Sequence, residues 1–142
     1  MLVEIRSEAF EPYQCLLDYQ NNADFAGKFG ATASFVGSMR DFNQGDEVSA
    51  MLLEHYPGMT EKYLQKISEE AASKWEILDS LIIHRIGEML PNDPIVLVAV
   101  WSAHRAAAFE ASRYLMEELK SRAPFWKKES LDKNDRWVAK NT

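Results

Sequence analysis

The chain has 142 residues, of which 46% are hydrophobic and 27% are charged, and its formal net charge is −6. This size and composition are typical of an ordinary globular protein, and we predict a single domain over residues 1–142. The negative charge disfavours nucleic acid as a partner, and no apolar run approaches the roughly 18 residues of a membrane span, so we predict neither nucleic-acid nor membrane binding.

The first half of the chain alternates between strand patterns and helix patterns in which apolar residues recur every three or four positions. Pro12 suits the first turn of a helix, and Gly45 suits a turn in the polar loop that joins two strands. The predicted elements are a strand over 2–7, a helix over 12–20, strands over 29–37 and 48–56, and an amphipathic helix over 59–75.

The second half contains the most hydrophobic strands. Segments 77–87 and 95–103 are apolar and β-branched, and the absence of polar alternation over 95–101 predicts a central strand buried on both faces. A helix fits residues 103–122, with Ser102 as its N-cap. Its predicted apolar stripe consists of Ala108, Phe109, Ser112, Leu115, Met116 and Leu119.

At the C-terminal end, FWKKE and RWVAK predict two short strands around the loop SLDKND. Strands that pair mostly antiparallel, with two main helices on one side, make an α+β fold. We therefore predict an α+β domain with a mostly antiparallel sheet.

Two cations stand at the start of the last predicted helix. His104 and Arg105 fall in its first turn, where the helix dipole disfavours a cation by about 0.3–1 kcal/mol. The pattern therefore suggests a bound anion, such as a phosphate or carboxylate, at the unpaired N–H groups. The alternative is that Arg105 reaches a carboxylate elsewhere while His104 packs neutral.

Four other cations are candidates for an anion site. Arg40 follows a strand end near a glycine, where backbone and guanidinium could approach an anion together. Lys120 lies in the last turn of the predicted helix, where a lysine also simply complements the dipole. Lys127 and Lys128 point to opposite faces of a strand, so that one could face a site. From the pattern alone, each is read as an ordinary surface residue.

The sequence predicts no metal and no cofactor. Its histidines lack metal-ligand spacing, His55 and His84 are interpreted as structural, and there is no P-loop, GxGxxG or GxSxG motif. The lone cysteine, Cys15, lies on the apolar side of the first predicted helix and is interpreted as a packing residue. Because one cysteine forms no intrachain disulfide and MLVEIRSEAF is not a secretory signal, we predict a cytoplasmic location.

Several segments resemble, in order and spacing, the large subunit of molybdopterin synthase, and the resemblance runs from about residue 2 to the C-terminus. The most specific are AHR…AF and the LK, AP and WKKE that follow it. The segments are FVGSMR (35–40), LEHYPGMTEKYL (53–64), HRIGEM (84–89), SAHRAAAFEA (102–111), LKSRAPFWKKE (119–129) and DRWV (135–138).

The resemblance implies an α/β-hammerhead type of α+β fold and a homodimer that carries one small ubiquitin-like subunit at each outer end, which makes a heterotetramer. It further implies that this catalytic subunit is a sulfurtransferase of molybdenum cofactor biosynthesis. The C-terminal thiocarboxylate of the small subunit would give its sulfur to cyclic pyranopterin monophosphate. Two such transfers would form the dithiolene of molybdopterin.

The resemblance also assigns roles to the cations. Lys120 would contact the thiocarboxylate or act as a general acid or base, and Lys127 would hold the pterin intermediate, so both are expected to be catalytic. His104 and Arg105 would bind the phosphate, assisted by Arg40 from the same or the dimer-related chain. The expected substrate-binding set is Ser38, Met39, Arg40, His104, Arg105, Lys120, Lys127, Lys128 and Glu129, with Glu129 orienting a lysine.

Two other functions are compatible with these residues. A module that binds an anionic ligand or a partner's C-terminal tail would keep the basic cluster without turnover. A structural dimer that has lost catalysis is disfavoured, because every charged position of the family's site is filled.

Overall fold

The computed structural model describes residues 1–132 and 134–139. Lys133, in the predicted terminal loop, and Lys140, in the last predicted strand, lie outside the described residues. The helices are α1 (Pro12–Asn22), α2 (Met59–Lys74) and α3 (Arg105–Arg122). The strands are β1 (Leu2–Arg6), β2 (Ala31–Ser38), β3 (Phe42–Asn43), β4 (Asp46–Glu47), β5 (Ala50–His55), β6 (Asp79–Arg85), β7 (Gly87–Met89), β8 (Pro94–Ser102), β9 (Phe125–Ser130) and β10 (Asp135–Trp137).

The described strands form two four-stranded sheets and one small hairpin. The first sheet has the order β1-β6-β8-β2, the second has the order β10-β9-β5-β7, and β3 pairs with β4. Strand β1 runs parallel to β6, while the other pairs are antiparallel. The prediction of an α+β fold with mostly antiparallel strands is therefore confirmed.

Strand β8 lies in the interior of the first sheet and is buried on both faces, as its unbroken apolar sequence predicts. The even-numbered residues 96–100 pack into the same core as α2 and α3. The odd-numbered residues 97–101 face a second core that contains Phe10, Phe25 and the partly buried side of α1. Two main helices therefore cover one face, and α1 covers the other. No described helix has the length and hydrophobicity needed to cross a membrane.

The predicted start of α3 is wrong. Ser102 remains the last residue of β8, and its hydroxyl donates to the carbonyl of His104, so His104 takes the N-cap position. The predicted apolar stripe is wrong at Phe109, which is 66% exposed, whereas Ala111 is fully buried. The core face of α3 runs through Ala108, Ala111 and Leu115, and Phe109 is turned away from it by one helical step.

The loop between β2 and β5 contains more structure than its polar sequence indicates. It forms the β3–β4 hairpin, and the turn residues Gln44 and Gly45 have φ values of 53° and 83°. Gly45 thus occupies the predicted turn. Strands β2 and β5 lie in different sheets, so this loop carries the chain from one sheet to the other.

Leu97→Ala should test the importance of the two-sided burial of β8. Leu97 has no exposed surface, and removing such a side chain leaves a cavity that costs about 2–5 kcal/mol. We expect a fall of that size in the free energy of unfolding, measured with urea at one protein concentration. Leu17→Ala is the control, since Leu17 is 46% exposed. Similar losses in both variants would contradict this account of the core.

Candidate functional site

A pocket opens where the end of β2, the end of α3 and strand β9 meet. Six of the nine residues predicted for the site line it, namely Ser38, Met39, Arg40, Lys120, Lys127 and Glu129. Apolar side chains form much of the remaining wall, and the β3–β4 hairpin closes one side. These further lining residues are Phe42, Asn43, Val48, Met51, Ile95 and Val138.

A tight chain reversal places the two pocket lysines together. Helix α3 ends at Arg122, and β9 begins at Phe125, so only Ala123 and Pro124 separate them. Pro124 cannot continue the helix, and its carbonyl accepts a hydrogen bond from the Thr60 hydroxyl at 3.1 Å. The last turn of α3 and the first residues of β9 therefore face one cavity, which brings Lys120 beside Lys127.

Strand alternation separates Lys127 from Lys128. Lys127 and Glu129 face the pocket. Lys128 points to the other face of β9, where its Nζ lies 3.6 Å from Asp135 Oδ2 and 5.9 Å from the centre of the Trp137 ring. The structure therefore places Lys128 in an ion pair outside the pocket.

His104 and Arg105 also lie away from the pocket. Lys120 follows Arg105 by fifteen positions on α3, which corresponds to about 22 Å at 1.5 Å per residue. The register of β2 against β8 agrees, because Ser38 pairs with Pro94 whereas Ala31 pairs with Ser102. One chain thus presents its predicted phosphate-binding residues at the opposite end of the molecule from its lysines.

Burial and neighbouring cations lower the pKa of both pocket lysines, Lys120 and Lys127. The pKa of Lys127 falls to about 8, mainly because of burial and also because of the charges of Lys120 and Arg40, whereas the charge of Glu129 opposes this fall. Burial also lowers the pKa of Lys120; contact with Lys127 opposes that change, and the charge of Arg40 adds to it. The pocket thus holds two amines that lose their protons more readily than an exposed lysine.

Glu129 is the buried carboxylate of the pocket and is held by two neighbours. It is 6% exposed and accepts hydrogen bonds from Asn43 Nδ2 at 3.1 and 3.3 Å and from Arg136 Nε at 3.0 Å. Neither Asn43 nor Arg136 was predicted from the sequence. The signal for Arg136 was present, because a hairpin around the predicted loop 130–135 sets it opposite Glu129, which is the observed register.

His84 lies near the lysine pair but remains neutral. Its ring stacks on Phe125 with 3.9 Å between ring centres, and its Nδ1–H donates to the Arg85 carbonyl at 2.8 Å. The pKa of His84 falls to about 3, mainly because of burial and also because of the charges of Lys120 and Lys127, whereas the hydrogen bond to Arg85 opposes this fall. This environment agrees with the structural role predicted for His84.

Comparison with known proteins places the chain in a family. A family model described as MoaE protein matches residues 5–122. The molybdopterin synthase catalytic subunit of Pseudomonas aeruginosa is 51% identical over 140 residues, which cover 97% of this chain and 90% of the relative. The chain belongs to the MoaE protein family.

One solved structure supports this assignment, and another shares the fold. The crystal structure of molybdopterin synthase from Staphylococcus aureus matches with a TM-score of 0.85 and 33% identity, covering 96% of each chain. A complex of subunits 1 and 2 of molybdopterin-converting factor from Helicobacter pylori matches with a TM-score of 0.81 over 99% of this chain and 92% of that one. The second match, at 21% identity, shows the fold alone.

The pocket of this MoaE-family chain is suited to anions and to proton transfer. Arg40 and the two lysines supply positive charge, and the apolar wall lowers the local dielectric constant, which strengthens their attraction for an anion. A lysine with a lowered pKa can also accept or donate a proton near neutral pH. Across residues 1–132 and 134–139, no group of three or more His, Cys, Asp or Glu residues is placed to hold a metal ion.

Lys127→Met should stabilise the fold at neutral pH. Because the pKa of Lys127 falls from 10.5 to about 8 on folding, burying its ammonium costs stability in full below pH 8. This cost shrinks between pH 8 and 10.5, where the folded lysine is neutral but the unfolded one is still protonated. Urea unfolding should therefore give the variant its largest advantage below pH 8 and a smaller one as the pH rises.

The exposed Lys62 provides the control, since Lys62→Met should change the urea midpoint little at any of these pH values. A pH-independent difference between Lys127→Met and the wild type would show that the buried charge is not the cause.

Proposed function

We propose that this chain is the catalytic subunit of molybdopterin synthase. It transfers sulfur from the C-terminal thiocarboxylate of a small ubiquitin-like subunit to cyclic pyranopterin monophosphate and so forms the dithiolene of molybdopterin. The observation that carries this proposal is the pocket, in which Lys120, Lys127 and Arg40 surround a partly buried cavity. The 51% identity with a catalytic subunit of molybdopterin synthase supports it.

The substrates explain why an acidic protein gathers cations here. A thiocarboxylate and a phosphate are both anions, and a chain of net charge −6 attracts them only through a local basic site. Lys120 contacts the thiocarboxylate and stabilises the charge that develops there, or moves a proton, because burial lowers its pKa. Lys127 holds the pterin intermediate, and Ser38 and Met39 border the same cavity beside Arg40.

A second copy of the chain completes the site. The cavity within one chain measures about 80 Å³, whereas sites for small molecules usually span roughly 300–1,000 Å³. The remaining predicted ligands of the phosphate, His104 and Arg105, are exposed at the far end of α3. In a homodimer with two-fold symmetry, these residues of one copy reach the lysine pocket of the other, so each site uses both chains.

The proposed reaction requires a small subunit that carries the sulfur. The assembly is a heterotetramer in which a homodimer of this chain binds two small subunits, each with its C-terminal tail in a lysine pocket. The match to a solved structure of molybdopterin synthase from Staphylococcus aureus, at 33% identity, supports the assignment to this enzyme. We place the enzyme in the cytoplasm, in keeping with a free Cys15 and no disulfide among the described residues.

Replacing Lys120 tests the enzyme proposal. With thiocarboxylated small subunit and cyclic pyranopterin monophosphate, the wild-type chain should form molybdopterin, and Lys120→Ala should lose about 10²-fold or more of that rate. Small-subunit binding, measured by calorimetry, should change little. Lys62→Ala, on the exposed side of α2, is the matched control. Stable binding without any product from the wild type would leave a binding module as the better account.

Mixing two inactive variants tests the shared site. Lys120→Ala and Arg105→Ala should each be inactive alone, but a mixed dimer contains one site with both wild-type residues. Random exchange of chains should therefore restore about a quarter of the wild-type activity. If activity stays absent after exchange that is verified by native mass spectrometry, then Arg105 and Lys120 do not work across a dimer.

A further inference from the structure

Arg136 ties together three parts of the chain at the edge of the pocket. From β10, its Nε donates to Glu129 Oε1 on β9 at 3.0 Å, and its Nη1 donates to Asp46 Oδ2 at 2.8 Å. Its Nη2 donates to the backbone carbonyl of Asn43 at 2.9 Å. The planar guanidinium thus meets three separate acceptors through three different nitrogen atoms, a geometry that the compact ammonium of a lysine does not reproduce.

These bonds decide which way Glu129 faces. Its carboxylate accepts from Arg136 and from the Asn43 amide, and both of these donors lie on the hairpin side of the pocket. Lys127 projects from the same face of β9 two residues earlier. Among the described residues, however, the ion pair of Glu129 is with Arg136, and none is formed with Lys127. Arg136 and Asn43 therefore contact both oxygens of the carboxylate, which leaves Glu129 less free to pair with a neighbouring ammonium.

We propose that Arg136 is a positioning residue of this site, which holds the Glu129 carboxylate against the β3–β4 hairpin and so keeps the Lys127 amine unpaired and available to substrate. Its effect on turnover rests on the proposed function, whereas its effect on Lys127 is a property of the chain alone. The role differs from that of a catalytic residue because Arg136 acts only through Glu129.

The other charges around Lys127 make this arrangement necessary. Lys120 from α3 and Arg40 beyond β2 repel its ammonium, and His84 on β6 is neutral, so Glu129 is the acid that acts on it. Without Arg136, a buried carboxylate that has lost its cation would turn to the next one available, because an unpaired buried charge is costly. Lys127 would then be held in an ion pair, and its pKa would rise.

The test measures the titration of Lys127 in the full chain by NMR of its side-chain carbon and nitrogen atoms. In Arg136→Gln, the midpoint for Lys127 should rise by about one pH unit or more, as a close opposite charge produces. Arg136→Lys, which keeps the charge but loses the three-way contact, should give a smaller rise. It also serves as the test variant if Arg136→Gln does not fold.

Two matched variants separate this role from a general loosening of β10. Adding Glu129→Gln to Arg136→Gln should abolish the rise, because the effect passes through the Glu129 charge. Asp135→Asn removes the ion pair on the opposite face of β10 and should leave the Lys127 midpoint unchanged. An unchanged midpoint in folded Arg136→Gln or Arg136→Lys, or a rise that persists without the Glu129 charge, would overturn the proposal.

Turnover then distinguishes this inference from the proposed function. In the assembled enzyme, Arg136→Gln should lower kcat and move the rising limb of its pH profile upward, whereas Asp135→Asn should keep the wild-type profile. If the wild type makes no product, the proposed function is contradicted, but the NMR titration of Lys127 still tests the role of Arg136. If the wild type turns over normally but the Lys127 midpoint does not move in Arg136→Gln, only the proposed role of Arg136 is contradicted.

Discussion

Gathering several cations in a half-buried pocket is the constraint around which the rest of this structure is arranged. Burial lowers the pKa of both Lys120 and Lys127, the charge of Arg40 adds to this fall in both, and the charge of Lys120 adds to it in Lys127. A fold tolerates such a cost only where its other contacts are strong, and here the fully buried strand β8 and the packed faces of α2 and α3 supply them. The same crowding of cations makes the pocket suited to an anion, because a bound anion would relieve the repulsion.

The surrounding elements explain how the chain holds this arrangement. The two-residue link between α3 and β9 sets the lysines side by side, and the β3–β4 hairpin closes the wall opposite them. Glu129 limits the repulsion without cancelling it, since Arg136 and Asn43 hold its carboxylate. The pocket therefore keeps a net positive charge and an acid that is already satisfied, which are suitable conditions for a visiting thiocarboxylate or phosphate.

Local patterns in the sequence predicted most of the fold but few of the contacts between distant segments. The unbroken apolar run 95–101 and the alternation around Lys127 depend only on neighbouring residues, and the structure agrees with both. The predicted N-cap was wrong because β8 continues through Ser102, so that α3 begins two residues later than predicted. The position of Arg136 opposite Glu129 follows from a local hairpin, but its contacts with Asn43 and Asp46 could not be predicted, because these residues lie more than eighty positions away along the chain.

The sequence also identified the nine residues of the predicted site without indicating which of them lie together in one chain. Six line one pocket, whereas Lys128 pairs with Asp135 and the pair His104 and Arg105 lies about 22 Å away along α3. A family's sequence pattern indicates which residues belong to one site, but it does not indicate whether one chain or two chains supply them. In the proposed homodimer, a second copy of the chain brings its own His104 and Arg105 to the lysine pocket of the first.

The most direct measurement follows the sulfur atom itself. Wild-type chain, thiocarboxylated small subunit and cyclic pyranopterin monophosphate are mixed, and the mass of the intact small subunit is followed together with the amount of product. The account predicts that the thiocarboxylate becomes a carboxylate only when both the chain and the pterin are present, with one small subunit consumed for each dithiolene sulfur formed. Loss of sulfur at the same rate without the pterin, or no loss with all components present, would contradict sulfur transfer in this pocket.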